Sequence, residues 1–197
     1  GGTLPTEKYV VIVYALSLRK SLGGMGALEH NTSTVVNLAD LDAEWYEKFG
    51  MGDVMQLYRN VVAHEFMHIV TPLNIHGKEI LDFDFINPSM GEHLWLYEGV
   101  TEYNGMISQT RAGVTTLQEF VTEVEGKLAE SRTYNEDIPF TQMSKYSLTY
   151  FSNQYNNVYE KGALIGLATD LKLRSLSNGE FGLINLLEKM WQTYGAD

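Results

Sequence analysis

Hydrophobic and polar positions along the first 40 residues predict a small β-sheet. Residues 9–16 (YVVIVYAL) are mostly β-branched or aromatic and almost free of polar side chains, which is typical of a buried strand. A glycine-rich turn is predicted at residues 23–26. Residues 28–38 combine threonine and valine with polar side chains, so we expect one further strand with an exposed face or edge.

From about residue 53 onward, hydrophobic residues recur at helical spacing. Asp53 can cap a first helix, whose apolar residues fall on one face as far as about Val70, and Pro72 ends it. A capping box at Thr116 and Glu119 marks the start of another helix. Helices are also predicted by periodicity over about 92–110, 116–132, 158–176 and 181–195.

The order of these elements predicts the fold class. A small sheet followed by helices indicates an α+β fold in one compact domain, residues 1–197. Residues up to about 40 form the strand-rich part, and residues from about 41 onward form the helical part. The polar, tyrosine-rich residues 134–157 predict mostly loop.

Composition narrows the classes of function. Fourteen basic residues against 25 acidic ones give a net charge of -11, which disfavours binding to nucleic-acid phosphates and to anionic membranes. No apolar run reaches the ~18 residues that a transmembrane helix requires, so we expect no membrane span in this segment. The chain has no cysteine, so any metal must be bound by His, Asp, Glu or backbone oxygen. Composition leaves the compartment undetermined.

The strongest chemical signal is the sequence from His64 to His68, HEFMH, an H-E-x-x-H motif on the first predicted helix. Residues four apart share a helix face, so the two histidines can converge on one zinc ion. Glu65 lies about 100° further round the helix, where it can accept a proton from a zinc-activated water. The alternative is two coincidental histidines, which the helical context and apolar neighbours disfavour.

A catalytic zinc site needs a third protein ligand. Glu98 and Glu102 lie about 30 residues after the motif, four apart on the second predicted helix. One of them can bind zinc while the other supports a ligand histidine. The pair could instead belong to an ordinary solvated acidic face, although leucine, tryptophan and valine surround it.

These residues resemble a known family. The motif and the following LWLYEGVTEY (94–103) resemble the glutamate-zincin metallopeptidases, and their spacing is similar to that of the glycyl aminopeptidase family. The resemblance implies a thermolysin-like zincin catalytic domain with one Zn²⁺ per chain. It makes Glu98 the third zinc ligand beside His64 and His68, which leaves Glu102 as the supporting carboxylate. It also implies flanking domains of the same chain, an N-terminal β domain and a PDZ domain.

Two further segments carry the resemblance. The segment GGMGALEHNTST (23–34) is similar to the family's substrate-binding strand, which implies that Gly26, Ala27 and Glu29 bind the peptide. Glu29 would hold the free α-amino group, because a carboxylate is the natural partner of an ammonium group. Glu29 could alternatively be an edge-strand charge that discourages aggregation. The segment VYEKGALIGLATDLKLR (158–174) resembles the helix whose tyrosine stabilises the oxyanion, here Tyr159.

The sequence therefore predicts a zinc aminopeptidase acting on peptides with a free N-terminus, with the family implying a preference for Gly or Ala. Two alternatives stay open. The first is a thermolysin-type endopeptidase in which Glu29 is structural. The second is a non-catalytic zinc-bearing domain for peptide binding or scaffolding, against which the presence of Glu65 and Tyr159 argues.

Overall fold

The computed structural model describes residues 6–16, 26–39 and 54–195, and within them the protein is a mixed α+β domain. A three-stranded sheet comes first and a helical body follows, as the hydrophobic pattern predicts. The first residues of the predicted glycine turn, up to Met25, and the predicted cap at Asp53 lie outside the described residues. In the part of the chain that the structure describes, no helix is both long and apolar enough to cross a bilayer.

The sheet has the strand order β1–β3–β2, with β3 parallel to β1 and antiparallel to β2. The strands are β1 (Val10–Leu16), β2 (Gly26–His30) and β3 (Ser33–Ala39). The prediction of a single strand over 28–38 is wrong, because the chain turns at Asn31 and Thr32 and pairs back on itself. Asparagine favours such turns, and this local signal outweighs the β-propensity of the flanking residues.

Strand β1 is more exposed than its composition predicts. Its side chains from Val10 to Tyr14 are 38–50% exposed. Among the described strands β1 pairs only with β3, so it forms one edge of this sheet. The expectation of a buried strand is therefore wrong for these residues, because an apolar run does not by itself show which faces become covered.

The five predicted helices are present in residues 54–195, together with short helices that periodicity did not predict. The α-helices are α1 (Val54–Met67), α2 (Lys78–Leu81), α3 (Thr101–Arg111), α4 (Leu117–Ser131), α5 (Phe140–Lys145), α6 (Asn157–Leu176) and α7 (Leu183–Tyr194). The capping box of α4 is confirmed: Thr116 Oγ1 accepts the N–H of Glu119 at 3.1 Å, and the Glu119 carboxylate accepts the N–H of Thr116 at 2.6 Å. The predicted loop 134–157 instead contains α5 and a 3₁₀ turn.

The second predicted helix begins with a π-helical segment, Trp95–Val100, that runs directly into α3. Such segments are rare and occur frequently at functional sites. This one carries Glu98, while Glu102 lies in the first turn of α3. The two acidic residues of the predicted site therefore lie on either side of a change in helix geometry.

The main hydrophobic core lies among the π-helical segment, α3, α4, α6 and α7. It consists of Val100, Tyr103, Met106, Phe120, Ala163, Leu183 and Leu187. Buried Asp170 of α6 joins three of these helices, accepting hydrogen bonds from the Tyr103 hydroxyl at 2.7 Å, Arg174 Nε at 2.9 Å and the N–H of Leu183 at 2.5 Å. Burial alone would raise the pKa of Asp170, but hydrogen bonds from Arg174, Leu183 and Tyr103 hold it below its usual range.

Candidate active site

Helix α1 presents the two histidines of the motif to a common point. His64 and His68 are 7% and 2% exposed, and their ring centroids lie 4.7 Å apart with the ring planes nearly perpendicular. Their ligand atoms and a carboxylate oxygen of Glu65 all lie within 4.8 Å of one another, so this group could hold a metal ion. The i, i+4 spacing on a regular helix accounts for this convergence.

Glu98 approaches the two histidines from the π-helical segment. Its Oε2 is 3.2 Å from His64 Nε2 and 3.7 Å from His68 Nε2. Tetrahedral ligand atoms bound to zinc at 2.0–2.1 Å would be about 3.3 Å apart. The Glu98 oxygen therefore lies close to the spacing that a shared metal requires from each of the two imidazole nitrogens. This makes Glu98 a better candidate for the third ligand than Glu65.

The opposite ring nitrogens of both histidines are held by acceptors. His64 Nδ1 donates to Glu102 Oε2 at 2.7 Å, and His68 Nδ1 donates to the backbone carbonyl of Thr71 at 2.8 Å. A proton fixed on Nδ1 directs Nε2 toward the metal position, and such partners are usual behind metal-binding histidines. The structure thus places the Glu102 carboxylate directly against His64 Nδ1.

The histidine and the two glutamates of the site shift one another's pKa values. Burial alone would lower the pKa of His64, but hydrogen bonds to Glu102 and Glu98 outweigh it and raise the pKa to about 10. Burial alone would raise the pKa of Glu102, but His64 and Lys127 lower it to about 2. Glu98 likewise has a lowered pKa, since the hydrogen bond from His64 outweighs the cost of its burial. Without a metal, a cationic imidazole therefore lies between two carboxylates.

Glu65 points from α1 toward the sheet. Its Oε2 accepts a hydrogen bond from Thr34 Oγ1 at 3.3 Å, and the same hydroxyl lies 3.0 Å from the carbonyl oxygen of Leu28 in β2. Burial raises the pKa of Glu65, although the nearby His68 and His64 oppose the shift. A carboxylate whose pKa is raised toward neutrality suits a group that must accept and release a proton. No sequence pattern identifies Thr34, because its contact with Glu65 depends on how the sheet packs against α1.

Tyr159 of α6 lies beside His64. Its ring centroid is 5.7 Å from that of His64, and its hydroxyl is 3.3 Å from that of Tyr155. Burial, followed by the charge of Glu98, raises the pKa of Tyr159 above that of ordinary tyrosine. The phenol therefore stays protonated and can donate a hydrogen bond at neutral pH.

Strand β2 forms the other edge of the described sheet. Ala27 and Glu29 alternate with the more exposed Gly26, Leu28 and His30. The negative charge of Glu29 is one of the smaller causes that raise the pKa of both Glu65 and Tyr155, so Glu29 lies within electrostatic reach of both residues. Gly26 and Ala27 lie on the same strand.

Helix α4 adds a residue that the sequence reasoning missed. Lys127, only 8% exposed, donates to Glu102 Oε1 at 2.7 Å, and its Nζ is 3.6 Å from Glu160 Oε2. A lysine on an amphipathic helix carries no sequence signal that it will be buried. A cavity of about 460 Å³ includes both partners of Lys127 in its wall. It is lined by Glu102, Glu130, Tyr134, Asn156, Tyr159 and Glu160.

Two comparisons with known proteins found a match to this chain. The family model for M61 glycyl aminopeptidases matches residues 57–165, more than half of the chain. A solved structure of an aminopeptidase N family protein from Idiomarina loihiensis matches with a TM-score of 0.77 and 26% sequence identity. The match covers 97% of this chain and 33% of that one, so the chain spans about a third of the solved protein's length. No curated protein matches the chain.

Proposed function

The chain belongs to the M61 glycyl aminopeptidase family, and on that premise we propose that it is a zinc-dependent aminopeptidase of thermolysin-like zincin fold. Family membership and the aminopeptidase-like neighbour support a peptidase, which is a hydrolase. Zinc dependence and action at the peptide N-terminus go beyond what family membership supports. The observation behind the proposal is that His64, His68 and Glu98 converge beside Glu65 and Tyr159.

The donor set fits zinc. Two imidazole nitrogens and one carboxylate oxygen at these separations are the composition of several catalytic zinc sites, which leave one position open. We assign one zinc per chain to His64, His68 and Glu98, with Glu102 behind His64. When bound, zinc supplies a Lewis acid that acidifies water and polarises the scissile carbonyl.

In the proposed reaction Glu65 is the general base and then the general acid. Its carboxylate accepts a proton from the attacking water and later passes that proton to the nitrogen of the leaving amine. The Thr34 hydroxyl, 3.3 Å from Glu65 Oε2, orients the carboxylate during both transfers. The raised pKa of Glu65 brings proton acceptance and release closer in free energy near neutral pH.

Tyr159 is the proposed donor to the oxyanion of the tetrahedral intermediate. Its buried phenol remains protonated, and its ring lies 5.7 Å from that of His64. A donor placed in advance where negative charge develops stabilises the transition state more than the ground state. Tyr155 lies against Tyr159 and supports it through the contact of their hydroxyl groups.

The proposed exopeptidase specificity rests on strand β2. An edge strand can add an extended peptide through backbone hydrogen bonds, here along Gly26 and Ala27. Glu29 would then pair with the free ammonium group at the start of that peptide and set the cleavage position from the end. The family resemblance implies glycine or alanine as the preferred first residue.

The decisive experiment combines metal analysis with a matched pair of peptides. We expect one zinc per chain, and rapid hydrolysis of a peptide with N-terminal alanine but not of its N-acetylated form. Equal hydrolysis of both peptides would support the endopeptidase alternative and contradict the role of Glu29. Binding without turnover would support the scaffold alternative.

A variant pair tests the chemistry of the same site. Glu65→Gln should lower kcat by about 10²–10⁴-fold, the usual contribution of a general base, while zinc content stays at the parent level. Glu125→Gln makes the same change at an exposed position of α4 and should leave kcat unchanged. Full activity in Glu65→Gln would remove Glu65 from the mechanism.

Flanking domains remain part of the proposal. The solved relative is about three times as long as the matched region, which leaves room for further domains in related proteins. We propose that an N-terminal β domain and a PDZ domain accompany this catalytic domain, as the family resemblance implies. Comparing the activity of this chain with that of the longest natural chain containing it tests whether those domains complete the cleft.

A further inference from the structure

We propose that Lys127 is a positioning residue for the metal centre, acting through Glu102 on the imidazole of His64. This inference rests on the proposed metal site. Lys127 does not touch a proposed metal ligand, and it comes from α4, a helix otherwise outside the histidine and carboxylate cluster. Its effect would therefore be to fix the orientation of a carboxylate that itself orients a ligand.

Two short contacts define the connection. Lys127 Nζ is 2.7 Å from Glu102 Oε1, and Glu102 Oε2 is 2.7 Å from His64 Nδ1. Each oxygen of the Glu102 carboxylate is thus assigned to a different partner. With Oε1 held by the ammonium group, the carboxylate plane is fixed and Oε2 stays directed at Nδ1. The imidazole is then held with Nε2 toward Glu98.

The burial of Lys127 strengthens the case. Lys127 is only 8% exposed, so its ammonium group has given up most of its hydration, which is costly unless the group is paired. Lys127 is paired with Glu102, and Glu160 Oε2 is a second, longer partner at 3.6 Å. Because the shorter contact is to Glu102, the lysine is placed to act on His64 as well as to join α4 to α6.

A purely structural role is the competing explanation, in which Lys127 only ties α4 to α6 through Glu160. The two roles predict different results for the hydrogen bond at His64. An orienting lysine changes the environment of the His64 Nδ1 proton without disturbing the helices. A structural lysine changes the stability of the fold and leaves that proton as it was.

The first test is NMR of the metal-free protein labelled with ¹⁵N at histidine. The His64 Nδ1–H resonance, assigned by its loss in His64→Asn, should be protected from exchange in the parent. We expect Lys127→Met to shift and broaden this resonance and Lys127→Arg to restore it. Lys145→Met removes an exposed lysine paired with Glu92 and should change nothing. An unchanged resonance in folded Lys127→Met would overturn the proposal.

The second test measures zinc affinity by competition with a chelator. Losing an outer partner of a metal ligand typically weakens binding by 10–100-fold, so we expect roughly tenfold for Lys127→Met. In a Glu102→Gln background the same substitution should have no further effect, because the lysine acts through that carboxylate. Equal losses in both backgrounds would overturn the proposal.

Controls separate the possible failures. If Lys127→Met does not fold by circular dichroism, Lys127→Gln is the second variant, and the same shift and broadening of the His64 resonance is expected. If the parent binds no zinc, the proposed function fails, yet the metal-free NMR comparison still decides whether Lys127 orients Glu102.

Discussion

Gly162 of α6 faces Gly99 of the π-helical segment so closely that a Cβ on Gly162 would lie 2.8 Å from the Cα of Gly99. Real Cβ atoms essentially never make so short a contact, so a side chain there would force the two elements apart. Glu98 precedes one glycine, and Tyr159 lies one helical turn before the other. Because neither glycine has a side chain, the two elements can approach closely, and this approach sets the separation of Glu98 and Tyr159.

Gly162→Ala should therefore reduce activity, although Gly162 itself takes no part in the proposed reaction. We expect kcat/KM to fall by at least about tenfold, because small misplacements of catalytic groups are costly. Gly126→Ala is the matched control, since a Cβ at Gly126 meets nothing within 4 Å. That change should stabilise α4 by about 0.5–1 kcal/mol and leave activity unaltered. Similar kinetics for both variants would show that the glycine contact does not set the site.

Thr34→Val tests the orientation of Glu65. Valine keeps the shape of threonine but removes the hydroxyl that lies near both Glu65 Oε2 and the carbonyl of Leu28. We expect kcat to fall about tenfold while zinc content is retained, since the general base loses its orienting donor. Thr169→Val removes a hydroxyl that bonds only within α6, roughly 15 Å along the helix from Tyr159, and should keep full kcat.

Zinc binding should release a proton from His64. The pKa of His64 without metal is raised to about 10, so its imidazole is cationic at pH 7 and must lose a proton before Nε2 can bind zinc. The apparent affinity should then rise about tenfold per pH unit between pH 7 and 9. Calorimetry in two buffers of different ionisation enthalpy measures the released proton. A pH-independent affinity would contradict the expectation, and His76→Gln should not alter the result.

Zinc affinity should rise with pH, whereas the stability of the metal-free protein should fall. A histidine whose folded-state pKa is raised stabilises the fold fully below its ordinary value of 6.5, and this contribution is lost as pH rises through about 10. We expect the Tm in excess chelator to fall from pH 7 to pH 10. The difference should be smaller in His64→Gln. A Tm that rises over this interval in the parent would be inconsistent with the charge arrangement.

Asp170→Ala should destabilise the fold without touching the site. The substitution leaves the Tyr103 hydroxyl, the Arg174 guanidinium and the Leu183 N–H without their shared acceptor. We expect a loss of about 3 kcal/mol, or a Tm lower by roughly 6–12 °C for a domain of this size. Asp84→Ala removes an exposed carboxylate that accepts hydrogen bonds within its own loop and should lower the Tm far less. Zinc content should be unchanged in both variants.

Where the geometry is local, the sequence predicts which side chains of the candidate site lie together. The two histidines share a face of α1 because helical periodicity requires it, and the structure places their ring centroids 4.7 Å apart. The capping box at Thr116 is also local and is confirmed. The carboxylate pair of Glu98 and Glu102 was placed near the metal site by spacing and resemblance. The structure brings both into contact with His64.

Sequence reasoning failed where the outcome depends on packing between distant segments. The hairpin of β2 and β3 was predicted as one strand, and the exposed β1 as a buried one. Neither Thr34 nor Lys127 was singled out, because each gains its role only when a sheet or a helix packs beside α1 or α3. The π-helical geometry around Glu98 was also invisible to hydrophobic periodicity.

By itself, the sequence determined the chemical inventory of this protein: a cysteine-free acidic chain with an H-E-x-x-H helix, a following glutamate pair and a tyrosine-bearing helix. The tertiary structure decided which atoms meet. It placed His64 between Glu98 and Glu102. It also brought Thr34 into contact with Glu65, and Lys127 into contact with Glu102. The physical reason is that the spacing of side chains along a helix is set by the local backbone geometry. Contacts between segments depend instead on the packing of the core and on close approaches such as that of Gly99 and Gly162.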